Sequence, residues 1–292
     1  MQRYGNRLFD GLNYLLLSLF VLLCIYPFYY VFIYSISDPM KVVQGVYFLP
    51  AGFELETYRS ILSLPYIANS FFVSAARTVV GTALTICCCS FFAYLLTKER
   101  MLLRKTVYRL LVVTLYINAG LIPWYITMKM LNLDNSFWLY VLPTAVSGFF
   151  VILIKTYIEQ LPAALEESAM IDGAGYFTLF ARIVFPLSKP IVATIAVFAS
   201  VGQWNTWIDN YFLVHDPGLK TLQLTLYEFL NSANAFTGMD AASITRNARS
   251  MVLTPESIKM STTMIVTFPI LVVYPVMQRY FVKGIMLGAI KG

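Results

Sequence analysis

The chain has 292 residues, of which 59% are hydrophobic and only 12% charged, against about a quarter charged in a soluble domain. That composition, with a mean hydropathy of +0.69, excludes a water-soluble fold, and so much apolar matter excludes disorder. The net charge of +6 then reports topology across a bilayer rather than affinity for nucleic acid.

A membrane-spanning helix needs roughly 20 apolar residues. Six stretches meet this, at about 12–36, 70–96, 106–128, 137–157, 191–213 and 261–282. The first is too long and too aromatic at its end for a cleaved signal peptide, and it lacks a small-residue cleavage site. With both termini cytoplasmic, thirteen of the 21 Lys and Arg residues fall inside and seven outside, and Arg77 lies near the outer end of the second span. Four of the inside residues (Lys98, Arg100, Arg104 and Lys105) crowd into one turn. The positive-inside rule favours this orientation. Long connections are expected at 38–69 and 214–260 outside and at 158–190 inside. No internal repeat appears, so the expectation is one transmembrane domain over 1–292.

Cys24, Cys87, Cys88 and Cys89 all lie in apolar runs. Consecutive helical positions point about 100° apart and cannot close a tetrahedral metal site. They read as small core residues, with no metal implied. The single histidine, His215, has no nucleophile near it in sequence. The aromatics Tyr26, Tyr29, Tyr30, Tyr34, Tyr47 and Phe48 read as an interfacial belt rather than a sugar platform.

The inside loop is the informative segment. Pro162 suits a first helical position, and Glu166 and Glu167 fall early, where the helix dipole favours them. Ala163, Ala164, Ser168 and Ala169 are small and permit close approach by another surface. Gly173 offers a left-handed terminus. A second helix is expected over about 176–184, ended by Pro186. The loop is therefore a short helix–turn–helix with an acidic first arm. It either packs on its own protein or docks a cytosolic partner.

Glu167-Ser168-Ala169, Asp172-Gly173-Ala174, Ile183 and Pro186-Leu187 together resemble the EAA loop of binding-protein-dependent ABC importers. Ser168 departs from the pattern as one small residue for another. Asn69-Ser70 at the start of the second span, Gln203-Trp204-Asn205 in the fifth, and the tail from Gln278-Arg279-Tyr280 to Lys291-Gly292 agree with it. The tail is similar to that of the carbohydrate branch, with the maltose-type and alginate-type permeases nearest.

The resemblance implies an all-α polytopic protein of the bacterial cytoplasmic membrane, with six transmembrane helices and a cytoplasmic coupling loop. It implies that Glu167, Ala169, Asp172, Gly173 and Ala174 couple the chain to an ATPase dimer. A second homologous permease, giving a heterodimer, and an extracytoplasmic substrate-binding protein would complete the assembly. The chain has no GxxxxGK[ST] phosphate cradle. No cofactor is therefore expected on it, and ATP and Mg belong to the partner ATPase. In maltose-type relatives the outer loop before the last span enters the binding protein. Here that region is about 214–257, with a tip at Asn231, Ser232 and Asn234. An ordinary lid is the alternative.

At about 1.5 Å per residue, Asn118 lies roughly 18 Å along the third span and Asn205 roughly 21 Å along the fifth, at similar depth. Tyr116 and Trp204 are their neighbours in sequence. Amides beside aromatic faces suit a sugar pathway; the alternative is helix-to-helix glue. Arg77 is expected either to snorkel to the outer interface or to face the cavity and attract an anionic sugar acid. The substrate expected is an oligosaccharide or polysaccharide; another solute, such as a polyol, glycerol phosphate or sugar acid, is the alternative. A membrane-embedded enzyme lacks its nucleophile and base here. An ion-coupled secondary transporter would show intramembrane acids and an inverted repeat, whereas only Asp209 lies in a span.

Overall fold

The computed structural model describes residues 2–42, 45–117, 119–231 and 254–289. Among these, every regular element is helical. In chain order they are α1 (Gln2–Ser35), α2 (Pro39–Val42), α3 (Glu56–Leu62), α4 (Pro65–Thr97), α5 (Arg104–Tyr116), α6 (Leu121–Met130), α7 (Trp138–Val141) and α8 (Gly148–Ile158). There follow α9 (Ala163–Ile171), α10 (Tyr176–Leu179), a π-helical segment Phe180–Val184, α11 (Phe185–Leu187), α12 (Lys189–Asn205), α13 (Ile208–Leu213), α14 (Leu222–Asn231) and α15 (Pro255–Ala289). The chain divides into two compact units, Met1–Ile67 with Leu226–Pro269 and Ala68–Thr225 with Ile270–Gly292.

Among the described residues, three helices are long and apolar enough to cross a bilayer alone: α1 from Phe9 to Ser35, α4, and α15 from Pro255 to Val273. Two helix pairs meet the same test only when taken together, each with a sharp bend between its members. These are α8 with α9, at 78°, and Tyr176–Leu187 with α12, at 80°. α9 therefore runs crosswise to α8, and Tyr176–Leu187 crosswise to α12.

The other expected spans are broken rather than continuous. The third falls on α5 and α6, which part where Ile117 is extended and Gly120 takes a φ of 83° with ψ of −179°. That backbone is open essentially to glycine alone. The fourth falls on α7 and α8, and the fifth on α12 and α13, with Thr206 extended between the last two. Apolar runs reveal the spans, but they carry no mark of a break that other side chains support.

In the first unit, the turn after α1 is tied by Ser37, whose hydroxyl donates to the Ile33 carbonyl at 2.5 Å and accepts from the Ala51 amide at 3.2 Å. Tyr58 donates to the Ser35 hydroxyl at 2.6 Å, and the Ser261 hydroxyl of α15 donates to the Ser35 carbonyl at 3.3 Å. Tyr29 donates to the Phe48 carbonyl at 2.6 Å, beside a ladder of rings from Tyr26 through Tyr30 to Tyr34.

In the second unit, a core of Cys89, Ala93, Tyr94, Val151, Ile154 and Ile195 joins α4 to α8 and α12. One face of α4, at Ser74, Arg77, Gly81, Thr85 and Cys89, recurs every three or four residues and serves its neighbours' backbones. The Ser74 hydroxyl accepts from the Leu222 amide at 2.8 Å, and Thr85 donates to the Thr144 carbonyl at 3.0 Å. The Cys89 thiol donates to the Ala145 carbonyl at 3.6 Å and accepts from the Ser147 amide at 3.3 Å. The break between α7 and α8 is thus satisfied from α4, as an apolar surrounding requires. A Cβ on Gly81 would lie 2.5 Å from the Gln203 amide nitrogen, so α12 approaches α4 closely there.

Candidate functional site

The loop 158–190 forms the helix–turn–helix that the sequence predicts, with a difference at each end. Pro162 sits one position outside α9, as its N-cap. Gly173 has a φ of +82°, the left-handed conformation that glycine adopts without strain. The Gly173 amide donates to the Met170 carbonyl and the Ala174 amide to the Ala169 carbonyl, both at 3.0 Å. This pair of bonds is a Schellman stop. Ala169 and Ala174 close it by packing on the core of α4, α8 and α12.

The second helix does not stop at Pro186. It runs through that residue to Leu187, with Phe185 helical at φ −62° and ψ −44°. The reason is the π-helical turn over Phe180–Val184. Its wider ring relieves the clash of a proline with the preceding carbonyls.

No residue of α9 is buried. Glu167 and Asp172 are exposed, and Ile171 and Phe177 show 86% and 71% of their surface. The arm thus leaves acidic, small and apolar side chains uncovered together. Its attachment to the membrane part is specific. Glu166 pairs with Lys98, whose ammonium lies 4.2 Å from the centre of the Tyr94 ring. Phe180 of the π-turn packs on Phe91 at 5.3 Å and on Tyr94 at 5.4 Å.

Arg77 takes neither of its expected places. It is 1% exposed, and Asp209 of α13 receives its guanidinium through two bonds, of 3.1 and 2.5 Å. Its Nε donates to the Gln203 amide oxygen at 3.1 Å and its Nη1 to the Thr206 carbonyl at 3.1 Å. The Tyr140 ring lies 4.7 Å below the charge. Gln203 donates in turn to the Thr144 hydroxyl at 2.6 Å. Asp209 reads in sequence as an unpaired acid in a span; it is half of a matched pair. Arg77 is 132 positions away from it, so no local pattern announces the partner.

No protein-family model matches the chain. It is 35% identical over 288 residues to the polygalacturonan/rhamnogalacturonan transport system permease protein YtcP of Bacillus subtilis, covering 98% of this chain and 99% of that one. Protein LplC of the same organism is 36% identical over 291 residues, covering 99% and 96%. The chain belongs to the carbohydrate ABC transport permeases. A solved bacterial ABC transporter involved in the import of the acidic polysaccharide alginate matches the permease with a TM-score of 0.87 at 28% identity, covering 95% of this chain and 98% of that one.

The permease does not present its expected pathway residues alike. Tyr116, at 84% exposure, and Asn205 face outward from this chain. Trp204 is buried, its ring edge-on to Phe71 at 6.1 Å. Asn118, Ser232 and Asn234 lie outside the described residues. Asn231 ends α14, where its side-chain amide donates to the Tyr227 carbonyl at 2.8 Å.

Proposed function

We propose that this permease passes fragments of an acidic polysaccharide across the cytoplasmic membrane, driven by a separate ATPase pair. The carrying observation is the agreement of two relatives. One is named for polygalacturonan and rhamnogalacturonan, and the other transporter imports the acidic polysaccharide alginate. All three polymers contain uronic acids.

In this reading α9 docks on the ATPase, with Glu167, Asp172 and the Gly173 turn at the contact. Ala169 and Ala174 hold the turn against the core. ATP and Mg are bound by the partner, which closes on nucleotide and draws α9 with it. The membrane helices then open outward, and hydrolysis resets them. A second permease completes the pathway, with Asn205, Tyr116, Asn118 and Trp204 as candidates to line this half. An extracytoplasmic binding protein delivers the substrate against the region 214–257, which holds Asn231, Ser232 and Asn234. The termini and α9 lie inside, in keeping with the excess of Lys and Arg on that side.

The test is reconstitution of the assembled importer in proteoliposomes. Uptake of a labelled oligogalacturonide should require ATP and the binding protein, and a P-loop ATPase should co-purify with the permease. Import of a neutral oligosaccharide with exclusion of the acidic one would refute the substrate class.

A further inference from the structure

The two adjacent glutamates of α9 are not equivalent. Successive helical positions point about 100° apart, so when one faces the protein the other does not. Glu166 faces inward: its side chain is 20% exposed and pairs with Lys98, itself 16% exposed. Glu167 is exposed. Lys98 directly follows the last residue of α4, its amide donating to the Leu95 carbonyl at 3.0 Å. A cation there also complements the negative end of the α4 dipole.

The ammonium is held from below by the ring of Tyr94, which is fully buried. That ring packs on Phe180, the first residue of the π-turn. Phe91, one turn earlier on α4, meets both Phe177 and Phe180. The end of α4 therefore grips the loop twice, through an ion pair to α9 and through rings to the segment after Gly173.

We propose that Glu166 and Lys98 are positioning residues that pass the movement of α9 to α4, while Glu167 is left for the ATPase. The inference rests on the reading that α9 docks there. An apolar contact alone would let α9 slide along the surface. A charge pair seated on an aromatic ring fixes its direction as well as its distance.

The experiment uses the whole importer, with Glu166→Gln, Lys98→Gln, Lys98→Arg and the exchange Lys98→Glu with Glu166→Lys. Each preparation is assayed for ATPase co-purification and for substrate moved per ATP hydrolysed. Glu166→Gln and Lys98→Gln should keep the ATPase bound while transport per ATP falls by about 5-fold or more. Lys98→Arg should keep the ratio, and the exchange should recover part of it. A merely structural role would lower the yield of folded importer and leave that ratio unchanged in what remains. An unchanged ratio in both single variants would overturn the proposal. So would loss of the ATPase from Glu166→Gln, which would make Glu166 a docking residue. Should the ATPase fail to accompany even the unaltered permease, it is the docking reading that falls.

Discussion

Arg77 is an ionisable residue in a segment where an unmatched charge is costly, and the protein matches it fully. The guanidinium finds Asp209, the Gln203 oxygen, the Thr206 carbonyl and the Tyr140 ring. Breaking a buried pair costs about 3–5 kcal/mol, because one charge is left uncompensated. Arg77→Gln and Asp209→Asn should each lower the thermal stability of the purified permease steeply, and the double change Arg77→Met with Asp209→Leu should lower it less than either. Since the charge is spent within the chain, Arg77→Gln should reduce uptake of charged and neutral oligosaccharides equally. A selective loss for the charged one would show that Arg77 meets the substrate. Gly173 behaves differently. A Cβ there meets nothing within 4 Å, so Gly173→Ala carries only the left-handed penalty of about 1–2 kcal/mol. Hydrogen exchange at the Gly173 and Ala174 amides should quicken in that variant, and less so in Gly173→Asn.

At the scale of elements, the continuous helices were legible and the broken ones were not. A run such as residues 191–213 shows only that the chain is apolar. It does not show that Arg77, far off in sequence, accepts the load of the freed Thr206 carbonyl and so allows α12 to end. The same holds for Cys89, legible as a small core residue but not as the group that satisfies Ala145 and Ser147. Cys89→Ser should be tolerated, since a hydroxyl can make both bonds. Cys89→Val should cost about 1–3 kcal/mol for the polar groups it orphans, read as a lower melting temperature. Pro186 misled for a related reason: a proline ends an α-helix, but a π-turn lies just before it. The Schellman stop was legible because its signal is local, a glycine just past a helix end.

For the molecule as a whole, the sequence carried the family through the spacing of one loop and its carbohydrate branch through the tail from Gln278 to Gly292. Nothing in the order of residues distinguishes one glycan from another, because that choice depends on side chains gathered from separate helices. The loop assignment itself is open to a direct trial. Gly173→Pro combined with Glu167→Lys should leave the chain inserted in the membrane, while the ATPase no longer co-purifies and uptake falls. Normal uptake by that double variant would remove α9 from the coupling path.

The face of α4 has a consequence for how such a chain can change length. Its polar groups meet partners on α7, the α7–α8 connection, α12, α13 and α14, all in one rotational setting. A single residue inserted between Gly81 and Thr85 turns Thr85 and Cys89 away by about 100° while Ser74 and Arg77 stay in place. Several backbone groups would then lose their partners at one stroke. Gaps and insertions among relatives should therefore be tolerated in the connecting loops and purged from residues 74–89, whatever sugar each relative carries.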